Sequence, residues 1–147
     1  HTGSMMVHSM ERTLTWLLRL FGISSLFALI FVVAPHGWMR VIHASFELGV
    51  MPDSPIVWYL ARSTSAFYAI VGGLFLLVSF DIERYRPVLV YLAWSVTLLG
   101  SVLLVVDVAE GMPTYWIMSE GPFVILYGIV LLYLIRSISS GASPRQT

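Results

Sequence analysis

The stretch VLVYLAWSVTLLGSVLLVVDV at residues 88–108 decides the fold of this chain, because its only charged side chain is that of Asp107. As a helix it would be about 31 Å long, at about 1.5 Å per residue, which matches the thickness of the hydrocarbon core of a bilayer. Three more apolar runs of similar length lie at about 14–33, 56–80 and 115–135. With 58% hydrophobic and 11% charged residues, the composition is that of a membrane protein.

We therefore predict an all-α integral membrane protein, with four transmembrane helices in an up-down bundle and one amphipathic interfacial helix between the first and second spans. The predicted segments begin with an expression-tag remnant at 1–4 and an N-terminal segment at 5–13. A single transmembrane domain is predicted at 14–136, with spans at about 14–34, 56–80, 87–110 and 113–136 and the interfacial helix at about 36–49. The last predicted segment is a C-terminal tail at 137–147. A retained first helix fits better than a signal peptide, because the apolar run is long and Pro35 follows the only reasonable cleavage point.

The arginines predict the orientation in the membrane. Six of them lie at ends of spans that share one side of a four-span topology: Arg12, Arg19, Arg84, Arg86, Arg136 and Arg145. Arg40 and Arg62 lie toward the other side. Because positive charge is enriched in cytoplasmic loops, both termini are predicted to be cytoplasmic, in a bacterial cytoplasmic membrane.

The segment 36–49 has the pattern of a surface helix. At about 100° per residue its polar side carries His36, Arg40, His43 and Glu47, while Trp38, Ile42 and Phe46 lie opposite. Gly49 is the predicted helix end. Two interpretations remain open: the polar side faces water, or it covers the outer mouth of the bundle. The aromatic residues Trp38, Trp58, Tyr59, Tyr115 and Trp116 are interpreted as an interfacial belt.

Small residues repeat every four positions on two spans. Those on the second span are Ser65, Ala69 and Gly73, and those on the third are Ala93, Thr97 and Ser101. We predict that these two spans approach each other along the two seams. Arg62 and Asp107 then point inward, and an arginine inside a span costs at least about 2.5 kcal/mol unless it is paired or reaches water. Asp107 is its predicted partner, with Glu120 as the alternative.

The last span contains Gly121-Pro122, which predicts a kink because proline lacks an N–H and its ring disturbs the preceding turn. Glu120 precedes this break. It either caps the free backbone groups or belongs to a polar site.

These polar residues suggest one outward-facing pocket. The candidate ligand-binding residues are Arg62, Ser65, Asp107, Glu110 and Glu120 from the spans and His43, Glu47 and Arg40 from the surface helix. The preferred hypothesis is a membrane protein that binds a lipid or a small amphipathic molecule there, alone or as a subunit of a larger assembly. The alternative is a membrane-embedded enzyme that uses the outer His, Asp and Glu side chains. An oligomeric transporter or channel is a third class, disfavoured because no ionisable residue lies near the middle of a span.

Composition limits the cofactors and partners. No cofactor is predicted, although His43, Glu47, Asp107 and Glu110 have the helical spacing of metal ligands. The chain has no cysteine, and no histidine within a span could bind haem. A formal net charge of zero gives no reason to expect nucleic acid. The predicted partners are membrane lipids and further copies or subunits.

Overall fold

The computed structural model describes the backbone of residues 2–141 and the side chains of residues 5–140. Its helices are α1 at Thr2–Leu26, α2 at Leu29–Val33, α3 at His36–Ser45, α4 at Pro55–Val78, α5 at Arg86–Ala109 and α6 at Thr114–Gly141. Every regular element among residues 2–141 is a helix, which confirms the all-α prediction for this part of the chain. His1 and residues 142–147, with Arg145, lie outside it.

Four helical stretches are long and apolar enough to cross a membrane. They are Met5–Val33, Pro55–Val78, Arg86–Ala109 and Thr114–Ser140. The last three agree with the predicted spans to within four residues at each end. The first begins nine residues before the predicted start, so the segment predicted at 5–13 continues the same helix.

Proline lies at the start of most of these helices. Pro55 and Pro87 lie in the first turns of α4 and α5, while Pro35 and Pro113 directly precede α3 and α6. A proline costs no hydrogen bond at these positions, since the first N–H groups of a helix have no partner within it.

The first span is interrupted between α1 and α2, which the sequence did not predict. The amide of Ala28 donates to the carbonyl of Ser25 at 3.1 Å, and that of Ile30 donates to Phe27 at 3.1 Å. These hydrogen bonds join residues three apart, as in a 3₁₀-helix, instead of four apart as in an α-helix. The chain therefore turns at 27–28 and then resumes helical geometry.

The chain divides into two compact units. The described part of one comprises residues 2–17 and 80–141, and the other is Leu18–Ser79. In the first unit, α5 packs on α6 through glycine. A Cβ at Gly100 would lie 2.7 Å from the backbone nitrogen of Ile125, and one at Gly128 would lie 2.8 Å from that of Thr97. The two backbones are therefore in direct contact, which only small residues allow.

The second unit contains a similar contact between α1 and α4. A Cβ at Gly72 would lie 2.7 Å from the carbonyl oxygen of Gly22, whereas one at Gly73 would have no neighbour within 4 Å. The rings of Phe21 and Phe75 lie beside this contact, 4.7 Å apart. The close approach of α4 to α1 thus occurs at Gly72.

The predicted approach of the two seams stays a prediction, because α4 and α5 belong to different units. Within its own unit, the seam of α5, represented by Ala93 and Thr97, faces Gly128 of α6, and α4 meets α1 at Gly72. A small residue permits a close approach without selecting the helix that makes it.

α3 ends earlier than predicted. Its last residue is Ser45, and the amide of Glu47 bonds back to the carbonyl of Ala44 at 3.0 Å. Glu47 has a φ of 54°, the left-handed conformation that often terminates a helix, and Gly49 follows with a φ of 83°. Glu47 therefore lies in the turn after α3, and the prediction that Gly49 ends this helix is wrong.

α6 is continuous from Thr114 to Gly141, with Pro122 inside it. Pro113 directly precedes the helix, and its carbonyl accepts from the amides of Trp116 and Ile117 at 2.9 and 3.1 Å. The predicted kink at Gly121-Pro122 stays a prediction.

Candidate functional site

Trp58 is the centre of the contacts at the start of α4. Its side chain is only 7% exposed, and its indole N–H donates to Oδ1 of Asp53 at 2.9 Å. The His36 ring stacks on it with centroids 4.0 Å apart and an angle of 3°, and the guanidinium of Arg40 lies 5.6 Å from the ring centroid. Trp58 therefore links α3 to α4. The sequence had interpreted it only as a residue of the aromatic belt.

A small apolar core surrounds this tryptophan. Ala34 and Met39 are buried with it, and Phe31, Met51 and Ala61 pack against the three. Trp38 and Val41 of the same helix are exposed. The helix thus turns Met39, together with His36, toward the rest of its unit and leaves Trp38 and Val41 uncovered.

Arg62 lies two turns into α4, and its guanidinium reaches the corner between α2 and α3. Its Nη2 donates to the carbonyl oxygen of Ala34 at 3.3 Å. Its Nε is buried and has no hydrogen-bond partner. A buried donor without a partner costs about 1–3 kcal/mol, and more when it belongs to a charged group. Asp107 belongs to the other unit, so the predicted pair with Asp107 stays a prediction.

A groove of about 490 Å³ runs beside this guanidinium. Its lining residues are Val32, Pro55, Trp58, Tyr59, Arg62, Ser63 and Ala66. Arg62 is the only charged residue among them, and none of the seven is acidic. The hydroxyl of Ser63 donates to the carbonyl of Leu60 at 3.2 Å. The groove therefore offers apolar walls with one cation, and we call it the Arg62 groove.

The other predicted residues of this unit have separate environments. Ser65 donates to Ala61 of its own helix at 2.8 Å, and Arg40 pairs with Asp53 at 3.7 Å with both side chains largely exposed. Nδ1 of His43 lies 3.2 Å from the carbonyl oxygen of Gly49.

A smaller cavity of about 210 Å³ lies beside His43 and is otherwise lined by apolar side chains, including Met39 and Met51. The cavity gives His43 no charged partner, and Glu47 lies exposed in the following turn.

In the unit that contains α5 and α6, the predicted acids differ sharply from one another. Asp107 is 5% exposed, and its Oδ2 has no hydrogen-bond partner. Glu110 is exposed at the end of α5. Glu120 accepts a hydrogen bond from the indole N–H of Trp116 and borders a groove of about 580 Å³ beside Pro122.

These contacts leave the metal hypothesis open. Within residues 5–140, no group of three or more His, Asp or Glu side chains is arranged to hold a metal ion. The candidate ligand His43 lies at the end of α3, whereas Glu47 follows the helix end. No cofactor is predicted from the sequence, and metal binding by these residues stays an untested alternative.

The sequence interpretation missed the groove, although one pattern indicates it. Trp58, Arg62 and Ala66 recur every four residues and so lie along one face of α4. No sequence pattern indicates that Val32 lines the groove or that the carbonyl of Ala34 accepts from Arg62. Both contacts depend on how α2 packs.

Comparison of the chain with models of protein families, with curated proteins and with solved structures found no match. Its function is therefore argued from its own residues.

Proposed function

We propose that this protein is an integral membrane protein that binds a lipid or a small amphipathic molecule in the Arg62 groove. The observation that carries the proposal is the guanidinium of Arg62, which is the one charged group that lines an apolar groove and forms no ion pair with an acid of its own unit. A guanidinium within a membrane span is costly unless a partner or water satisfies it. A ligand with a polar end would supply that partner.

The walls of the groove define the kind of molecule that fits. Val32 and Ala66 offer apolar surface, and Tyr59 adds an aromatic ring beside them. An acyl chain loses no hydrogen bonds against such surfaces, whereas a wholly polar molecule would lose its hydration. The ligand is thus amphipathic, with its chain along α4 and its polar end at Arg62.

We place α3 at the membrane surface over this end of the protein. Its exposed apolar side chains, Trp38 and Val41, suit the boundary between acyl chains and headgroups. His36 and Arg40 contact Trp58, which itself lines the groove. This supports the interpretation in which α3 covers one end of the ligand site.

The proposed orientation has both termini in the cytoplasm. The chain has no cysteine, so single cysteines give an unambiguous test. Cysteine at Glu83 or Ser140 is expected to resist a membrane-impermeant thiol reagent in intact cells, while cysteine at Val50, which is 94% exposed, is expected to react. Reaction at Ser140 from outside would reverse the orientation.

The binding proposal is tested by native mass spectrometry of the purified protein, followed by extraction and identification of retained molecules. Wild-type protein is expected to retain an amphipathic molecule, and Ala66→Phe, which fills the groove, is expected to lose it. Ile70→Phe is the matched control, because Ile70 is 72% exposed on the same helix and does not line the groove. An empty wild-type protein, or equal retention by Ala66→Phe, would refute the proposal.

A further inference from the structure

We propose that the ligand of the Arg62 groove is a phospholipid with net negative charge, bound through its phosphate. This inference rests on the proposed function and specifies the chemistry of the ligand. Its starting point is the charge balance around Arg62.

Within Leu18–Ser79 the acids are Glu47 and Asp53, and the arginines are Arg19, Arg40 and Arg62, which gives a formal net charge of +1 with neutral histidines. Asp53 is engaged by Arg40 and by the indole of Trp58. Glu47 is exposed in the turn after α3. Neither acid of this unit forms an ion pair with Arg62, so its charge lacks a counter-ion there.

The hydrogen bond of Arg62 fixes the level at which an anion would bind. The Cα of Arg62 lies about 10 Å along the helix axis from Pro55, at about 1.5 Å for each of seven residues. Its guanidinium reaches back to Ala34, where the first span ends and α3 begins. This corresponds to the boundary between acyl chains and headgroups, where the phosphate of a phospholipid lies.

The guanidinium also suits a phosphate chemically. Its donors form a planar fork that matches phosphate oxygens, and Arg62 lines the groove. A phosphate in the groove would accept a charge-assisted hydrogen bond from this guanidinium. A molecule that offered only neutral hydroxyl groups would leave the positive charge without a counter-ion in this unit.

The residues that line the groove favour anionic lipids over zwitterionic ones. A choline group needs an anion or an electron-rich ring. The groove has no acidic residue, and of its two aromatic rings that of Trp58 is already covered by His36 and approached by Arg40, which leaves only Tyr59. The quaternary ammonium would therefore lie near two arginines without a carboxylate of its own. A headgroup without a cation avoids this repulsion.

The test is a titration of delipidated protein in a nonionic detergent, read by native mass spectrometry. The three probes share their chains: dioctanoyl phosphatidylglycerol, dioctanoyl phosphatidylcholine and dioctanoylglycerol. Phosphatidylglycerol is expected to bind at least about tenfold more tightly than dioctanoylglycerol, since one charge-assisted hydrogen bond reaches that factor. Phosphatidylcholine is expected to lie between them, and inorganic phosphate is expected not to displace phosphatidylglycerol.

Arginine variants locate the preference. Arg62→Gln is expected to reduce it below about threefold, Arg62→Lys to keep part of it, and Arg136→Gln, at an exposed arginine of α6, to leave it unchanged. If Arg62→Gln fails to fold, the headgroup series on wild-type protein and on Arg62→Lys still decides the question.

The outcomes separate this inference from the proposed function. Equal binding of all three lipids, lost in Ala66→Phe, would keep the groove as a ligand site and overturn the preference for an anion. A preference that survives Arg62→Gln, or displacement by inorganic phosphate alone, would also overturn it. Failure of every lipid to bind would refute both proposals.

Discussion

α5 and α6 meet through glycine, whereas the corner of α2, α3 and α4 is held together by Trp58. At the first contact, Gly100 and Gly128 bring two backbones together and leave no room for even a methyl group. At the second, a large ring is packed among both apolar and polar side chains, and a groove with a partly unsatisfied guanidinium remains beside it. Small residues thus close a helix pair, while a corner of aromatic, apolar and polar side chains leaves a groove open.

The largest expected effect is that of removing the Trp58 ring from the corner of α2, α3 and α4. Trp58→Ala is expected to lower the free energy of unfolding by about 3–5 kcal/mol, as for other buried tryptophans, because it deletes both the stack with His36 and the bond to Asp53. Unfolding by denaturant in detergent micelles measures it. Trp38→Ala, at an exposed tryptophan of α3, is the control and is expected to change little.

The close glycine contact between α5 and α6 is tested by adding one methyl group to it. Gly128→Ala is expected to cost about 1–3 kcal/mol, because the new Cβ would meet backbone atoms of Thr97 and Ala93 that cannot rotate away. The same measurement on Gly73→Ala is the control, since a Cβ there has no neighbour within 4 Å. Equal losses in the two variants would contradict the assigned contact.

An intermediate effect is expected for the hydrogen bond between α6 and α1. The hydroxyl of Tyr127 donates to the carbonyl oxygen of Leu17 at 3.0 Å. Tyr127→Phe is expected to cost about 0.6 kcal/mol, with an upper limit near 1.7, as measured for hydrogen bonds between membrane helices. Tyr133→Phe is the control, because Tyr133 is 62% exposed on the same helix. A larger loss of unfolding free energy in Tyr133→Phe would show that the effect comes from removing a tyrosine hydroxyl in general and not from the bond to Leu17.

The smallest expected effect separates charge from hydrogen bonding at the corner. Asp53→Asn removes the ion pair with Arg40, whose groups are exposed, and keeps an oxygen that accepts from Trp58. The expected cost is below about 1 kcal/mol, the usual limit for exposed pairs. Asp53→Ala also removes the acceptor and is expected to cost more. If both variants lose the same amount in denaturant unfolding, the bond to Trp58 contributes nothing.

The sequence predicted the helices well, because length, hydropathy and proline are local signals. The spans predicted at about 56–80 and 87–110 lie within two residues of α4 and α5. The glycine at which α4 meets α1 could not be predicted in this way. Gly72 and Gly73 are neighbours in the chain, yet only Gly72 lies against another backbone, and that choice depends on the rotation of α4 relative to α1.

The candidate site was predicted only as a set of residue types. The sequence identified Arg62 and Arg40, but it did not predict that the carbonyl of Ala34 accepts from Arg62 or that His36 stacks on Trp58. Both contacts depend on the corner where the chain leaves α2 and enters α3. Hydrophobic periodicity describes each helix separately and contains no information about such a corner.

The burial of Trp58 also has an optical consequence. The chain has five tryptophans, of which Trp16, Trp38 and Trp94 are largely exposed and Trp116 lies elsewhere, on α6. Replacing these four with phenylalanine would leave one indole as the main source of fluorescence excited at long wavelength. Because that indole contacts α3 on one side and lines the Arg62 groove, its emission would report both entry of the proposed ligand and displacement of α3 without an added dye.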